Sequence, residues 1–511
     1  MNDWTSGYVA DIGYTFGYYQ ELNPLRVKLA FLHAGLAFPD VGAACELGFG
    51  QGMSANIHAA ASLTSWHGTD FNPAQAGFAQ EIATASGAGA MLYDEAFSAF
   101  ANRTDLPDFD YIGLHGIWSW ISDENRKVIV DFIRRKLKVG GVLYISYNTQ
   151  PGWAAFTPIR QLMTEHSEIM GFEGQGTVNR VDGALDFTDR LLATNPIYAT
   201  ANPLITERFR KLKDQNRSYL AHEYFNRDWH PMHFADMAEW LAPAKLSYAG
   251  SAHYHDHIDV VNLTDEQRAF LKEINDVTFK ENVRDFMINQ QFRRDYWVKG
   301  ARKLNAVERS DALRSQRVIM AENRADISLK VTSPRGEVNM SEGVYNPVLD
   351  MLADYKPKTI GQIEQYVQNI GLNFSHVLEA VMVLVGSSSI LPVQEDALVS
   401  KVKKQTDKLN AYLISKSRGI NDISFLASPV TGGGVVVGRF PQLFLLAQSQ
   451  GRKQPSEWAQ FVWHILAAQN QKIIKEGKVI ETEEENIAEL AEQAAVFAAK
   501  KLPVLKALGV I

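Results

Sequence analysis

Three glycines fall within seven residues in Glu46-Leu47-Gly48-Phe49-Gly50-Gln51-Gly52, directly after the apolar run Val41–Leu47. A turn of this composition lets the main chain approach a ligand that side chains would hold off. A strand leading in and a helix leading out, here Met53–Ser62, is how nucleotide-binding sheets present such a turn. Glycines alone serve dinucleotides and phosphates equally well, and a simple tight turn also uses them.

Two details narrow the ligand. The spacing is GxGxG, not GxGxxG, and Glu46 stands two positions ahead of the first glycine. A carboxylate there repels a pyrophosphate and suits a ligand whose amino-acid end carries an ammonium, which favours S-adenosylmethionine. Three further features follow in order, each at a predicted strand end. Asp70, in Gly68-Thr69-Asp70-Phe71-Asn72-Pro73, is placed to grip ribose hydroxyls, although it also reads as a helix cap before Pro73. Asp94-Glu95 can accept from an exocyclic adenine amine, or be surface charge. His115-Gly116-Ile117-Trp118 falls where such sheets open their pocket. On the substrate side, Trp118, Trp120, Tyr147, Asn148 and Trp153 are candidate wall and orienting groups, with Trp118, Tyr147 and Asn148 the expected substrate-positioning residues; packing is the rival role for the tryptophans.

These residues need a parallel sheet to bring them together. Strands are predicted at Val41–Leu47, Ser65–Thr69, Ala90–Tyr93, Phe109–Leu114 and Val142–Tyr147, with helices at Pro73–Ala85 and Asn125–Leu137, the last stopped by Gly140-Gly141. The alternation implies a doubly wound, Rossmann-like sheet. Phe234–Leu241, Lys245–Ala252 and Ile258–Leu263 read as a helix and a closing hairpin, so residues 152–230 form a helical insertion inside a Rossmann-like domain of residues 1–263. A helical connector is expected over 264–304, a winged-helix-like domain over 305–395 and a mainly helical domain over 396–511.

Composition sets the outer limits. The chain has 511 residues, a net charge of −7 and one cysteine, Cys45, so an intrachain disulfide is impossible. The start of the chain does not read as a secretory signal, and no apolar run is long enough for a membrane span. The expectations are therefore a cytoplasmic location and no membrane contact. Between Val331 and Gln394, three Lys/Arg (Arg335, Lys356, Lys358) face six Asp/Glu, a net of −3 that disfavours nucleic acid and favours a protein or peptide contact. His253-Tyr254-His255-Asp256-His257 could share a metal but reads as a hairpin tip, and no metal site is expected. Thr431-Gly432-Gly433-Gly434 reads as a hairpin turn.

Residues 41–153 resemble the class I S-adenosylmethionine-dependent methyltransferases. Tyr18-Tyr19-Gln20-Glu21-Leu22-Asn23-Pro24, Leu114 to Trp120, Tyr147 to Trp153, Phe292-Arg293-Arg294-Asp295 and Ala427 to Gly434 resemble the subgroup that carries a methyltransferase regulatory domain, which includes rickettsial protein lysine methyltransferases. The resemblance implies that Gly48, Gly50 and Gly52 cradle the methionine moiety, that Asp70 holds the ribose and Asp94 the adenine, and that the protein is a homodimer. With Glu46, Glu95 and His115 these make the expected cofactor set. The activity expected is N-methylation of a protein or peptide side chain, lysine first. The alternatives are an asparagine side-chain amide of a ribosomal peptide natural product, O-methylation of a small molecule or glycan, and a non-catalytic S-adenosylmethionine sensor.

Overall fold

The computed structural model describes residues 7–9, 12–13 and 15–511, with backbone only at residue 173. Seven strands form its main sheet: β1 (Ala43–Leu47), β2 (Ser65–Asp70), β3 (Met91–Asp94), β4 (Phe109–Leu114), β5 (Leu137–Asn148), β6 (Leu246–Ser251) and β7 (Phe292–Lys299). They run in the order β3-β2-β1-β4-β5-β7-β6. β1 pairs in parallel with both β2 and β4, and β7 is antiparallel to its neighbours β5 and β6. The strand order reverses between β1 and β4, which opens a crevice at their carboxyl ends.

Helices α1 (Pro24–His33), α2 (Met53–Ala61), α3 (Pro73–Ser86), α4 (Phe97–Ala101) and α5 (Asp123–Lys136) accompany the first half of the sheet. Their limits follow from local chemistry. Asn72 accepts from the Ala74 amide and Pro73 supplies a ready-made first turn for α3. Ser122 caps α5, with Asp123 and Glu124 in its first turn and Arg134, Arg135 and Lys136 in its last, both charges complementing the helix dipole. The chain then passes directly into β5, so Gly140-Gly141 lies within a strand and does not terminate the helix.

The closing of the sheet differs from expectation. Residues 258–263 are not a strand: Tyr254–His257 is a 3₁₀ turn and Asp259–Asn262 a short helix. The seventh strand is Phe292–Lys299, inside the segment expected to be a helical connector, so the sheet ends at residue 299 and not 263. Phe-Arg-Arg-Asp falls within the segment expected as a helical connector. In the fold, Arg293 is 5% exposed and Asp295 1% exposed, because the two neutralise each other.

The insertion is helical as expected: α6 (Thr157–Ile169), α7 (Thr177–Ala193), α8 (Ile197–Ala201), α9 (Leu204–Lys213) and α10 (Arg217–Tyr224). It packs around its own core, which includes Phe156, Met163, Leu185 and Phe209. Helix α11 (Phe234–Leu241) returns the chain to the sheet. Beyond it, residues 305–395 hold the helix Ala306–Ser315 and then three more, Glu342–Leu352, Ile360–Val367 and Phe374–Gly386, with a small sheet in which 317–320 pairs with both 358–359 and 390–392. The hairpin 330–339 comes ahead of these helices. The last segment is mainly helical. Its first helix, Asp396–Lys416, packs on α2 and α3, and Thr431 to Gly434 form the turn and return strand of a hairpin. No helix of the described residues is long and apolar enough to cross a membrane.

Candidate active site

A cavity of about 210 Å³ lies beside the glycine loop, lined by Gly48, Gly50, Asp70, Glu95 and His115 among others. Gly48, Gly50 and Gly52 all have left-handed backbones, with φ of 70°, 57° and 70°. A Cβ on Gly48 would stand 2.3 Å from Ile117 Cδ1, and one on Gly52 would stand 2.4 Å from Ala79 Cβ. Asp70 holds the loop: its Oδ2 accepts from the Gly50 amide at 2.9 Å and its Oδ1 from Asn72 at 3.0 Å. Burial pushes the Asp70 carboxyl up to about 6, against the pull of those two amides. Glu95 is split in function. One oxygen accepts from Arg103 at 2.7 Å, while Oε2 is buried with no protein partner among the described residues, an acceptor left for a ligand.

Three residues of the expected cofactor set do not line this cavity. Glu46 is 2% exposed behind the loop. Burial, followed by the nearby Asp70 charge, pushes its carboxyl up to about 8, which disfavours the charged form that its place ahead of the glycines suggested. Gly52 caps α2 with its left-handed conformation and packs against α3. Asp94 is exposed at the end of β3, and the adjacent Glu95 takes the cavity position.

A second, open cavity of about 920 Å³ adjoins the first, and Tyr19, His115, Gly116 and Trp120 line both. His115 stacks on Tyr19 and its Nδ1 lies 2.7 Å from the Tyr144 hydroxyl. Burial pulls the imidazole down to about 4, so it is neutral. The Gly116 amide donates to Ser146 Oγ at 2.8 Å, and Trp120 Nε1 donates to the Glu223 carbonyl at 3.1 Å, tying the loop after β4 to α10. Helices α9 and α10 form the far wall. There the Glu223 carboxyl, raised to about 7 by burial, lies beside the Asn148 amide, which favours its charged form.

Of the expected substrate-side residues, Asn148, Trp120 and Trp153 line the outer cavity, and Trp118 and Tyr147 line neither. Trp118 is fully buried, with Nε1 3.3 Å from the Met232 sulfur and its carbonyl held by Arg126. Tyr147 donates to Asp295 at 2.7 Å on the opposite face of the sheet from Asn148, as alternation along β5 requires. Sequence reasoning does not assign Glu223, Tyr19 or Asp228 (which lines the inner cavity) to the site. They come from segments remote from the glycine loop, and no spacing around them signals a ligand.

Residues 216–299 match the family model described as "Predicted methyltransferase regulatory domain". That span covers α10, α11, β6 and β7, so it is no separate module: it supplies one wall of the outer cavity and the closing strands of the sheet. The uncharacterized protein sll1526 of Synechocystis sp. is 40% identical over 99% of both chains. Among solved structures, the chain is similar to PKMT2 from Rickettsia typhi in complex with AdoHcy, at 18% identity, 96% coverage of this chain, 99% of that chain and a TM-score of 0.69. It is also similar to a second structure of PKMT2 from Rickettsia typhi, at 16% identity, 95% and 98% coverage and a TM-score of 0.66. By its full-length match, its sheet and its regulatory-domain segment, the chain belongs to the family of class I S-adenosylmethionine-dependent methyltransferases that carry a methyltransferase regulatory domain.

Proposed function

We propose that this chain transfers the methyl group of S-adenosylmethionine to a nitrogen on a protein or peptide side chain, a lysine being the nucleophile that fits best. One observation carries the reading: the inner cavity at the glycine loop continues into an outer one of about 920 Å³ through a shared wall of His115, Gly116 and Trp120. An inner cavity of that shape suits the cofactor, with Gly48 and Gly50 giving close approach, Asp70 facing the ribose and the free Glu95 oxygen facing the adenine amine. The fold likeness to PKMT2, solved with AdoHcy, supports this placement. When bound, the cofactor supplies an electrophilic methyl group, and the chain's part is to align a nucleophile with it.

The outer cavity is large enough for a long side chain presented on a macromolecule, and its open form favours transfer over sensing. Its walls include Tyr19, Trp120, Trp153, Tyr224 and Phe292. Such walls desolvate an ammonium, lowering its pKa, and their faces attract the methylated cation. Glu223 in the same cavity keeps one second reading alive, an asparagine side-chain amide of a peptide, because a poorly nucleophilic amide also needs an acceptor. The test is incubation with labelled S-adenosylmethionine and lysate of the native host, followed by mass spectrometry. Label on lysine is expected. Label on asparagine favours the second reading, and cofactor binding with no labelled macromolecule overturns both.

A further inference from the structure

The outer cavity is lined by three Lys and Arg side chains, and each already has a partner. Arg208 lies over the rings of Trp153 and Phe156, at 4.2 and 4.5 Å, and donates to the Gly152 carbonyl. Lys211 pairs with Glu207 at 2.7 Å, and Arg294 with Glu21 at 3.4 Å. Glu223 makes no ion pair within 4 Å among the described residues; its near neighbours are the Asn148 amide and the charge of Arg208. Asn148 Nδ2, in the same cavity, is buried and has no hydrogen-bond partner among the described residues. An acceptor without its own cation thus stands at the carboxyl end of β5, on the helix whose Glu223 carbonyl is bonded to Trp120, a residue of the shared wall.

Resting on the methyltransferase reading above, we propose that Glu223 is the residue that receives an incoming side-chain ammonium and takes its proton, with Asn148 as the positioning residue that orients the carboxylate. An N–H proton passes to a Glu223 carboxylate oxygen. The freed nitrogen lone pair forms the bond to the methyl carbon as the methyl–sulfur bond breaks, and that bond's electrons stay on sulfur. The positive charge moves from sulfur to the methylated nitrogen, and S-adenosylhomocysteine leaves as a neutral thioether. The open cavity returns the Glu223 proton to solvent. This assigns the site a primary amine, not an amide, because an amide brings no cation for the carboxylate to recognise.

The surroundings support the role. Burial brings the Glu223 carboxyl to about 7, nearer to a desolvated ammonium than an ordinary glutamate is, which is where proton transfer is efficient. Tyr224, beside it on α10, is pushed up to about 12, first by burial and then by the Glu223 charge, and stays protonated. His115, across the shared wall, is neutral.

The test compares wild-type protein with Glu223→Gln and Glu223→Asp, each loaded with S-adenosylhomocysteine. The probes are n-butylamine, standing for a lysine side chain, and propionamide, standing for an asparagine. Calorimetry at pH 7.5 is expected to show butylammonium binding that weakens about 10-fold or more in Glu223→Gln and is partly kept in Glu223→Asp. Infrared titration is expected to show a carboxyl band near pH 7 that Glu223→Gln removes. Methyl transfer, read on the protein labelled in lysate, is expected to fall about 10²- to 10⁴-fold in Glu223→Gln, with S-adenosylhomocysteine affinity unchanged. Equal butylammonium binding in wild type and Glu223→Gln, or propionamide binding in preference to butylammonium, overturns the proposal. Failure of all three proteins to bind S-adenosylhomocysteine is a different result: it removes the methyltransferase reading on which the proposal rests.

Discussion

The imidazole of His115 lies flat against the ring of Tyr19, with centroids 3.5 Å apart and planes inclined by 18°. The contact joins the segment ahead of α1 to the loop after β4, at the wall common to both cavities. Because burial holds His115 near 4, the stack is between two uncharged rings at neutral pH. Tyr19→Ala is therefore expected to weaken S-adenosylhomocysteine binding about 2- to 10-fold, the worth of an aromatic pair. Calorimetry at pH 6 and pH 8 should give the same loss. A loss confined to the lower pH would mean that a charged imidazole carries the contact.

Glu46 stores a pH dependence of stability. Its carboxyl is raised from 4.5 to about 8 in the folded chain, chiefly by burial. Between those values the folded state holds a proton that the unfolded state has released, so stability falls as pH rises from about 4.5 to 8. Glu46→Gln keeps the shape and removes the titration. Its melting temperature is expected to match wild type near pH 4.5 and exceed it at pH 8. The difference is worth up to a few kcal/mol, because each pH step of one across that window costs the folded state about 1.4 kcal/mol. Thermal unfolding of the ligand-free protein across that range measures it, and parallel curves would refute the assignment.

Arg293 gathers three carboxylates on one guanidinium: Asp285 at 2.6 Å, Glu281 at 2.9 Å and Asp295 at 3.0 Å. Asp295 also accepts from Tyr147, so the cluster pins β7 to β5. Arg293→Met leaves buried carboxylates without their cation and is expected to cost about 3–5 kcal/mol. Asp285→Asn should cost less, because Glu281 and Asp295 still neutralise Arg293. Urea unfolding of both variants checks the contrast; equal losses would show that the cluster acts as packing, not charge.

Features legible in the sequence share a physical property: their causes lie within a few residues. Left-handed glycines, a Pro73 that starts α3 behind the Asn72 cap, and the acidic opening and basic close of α5 are local, so spacing reveals them. Asp70 is legible because it ends a strand and accepts from the Asn72 amide just ahead of Pro73; its bond to the Gly50 amide, 20 residues back, is not local.

Local reasoning ends at two places. Phe292-Arg293-Arg294-Asp295 holds three charges in four residues; the meeting of Arg293 with Asp295 and with Asp285 and Glu281 on another element permits a buried strand there. Trp118 and Tyr147 have the composition of a substrate wall, yet alternation along β5 and the placement of Met232 turn both away from the cavities. The sequence by itself determined the strand–helix alternation, the glycine turn and Asp70, since each depends on backbone freedom and hydrogen bonds between near neighbours. Tertiary structure alone decided that Glu223 and Tyr19 join Asn148 and His115 in one cavity. They come from four separated segments, and their nearness follows from which faces of remote helices and strands bury against each other, a property that no single segment carries.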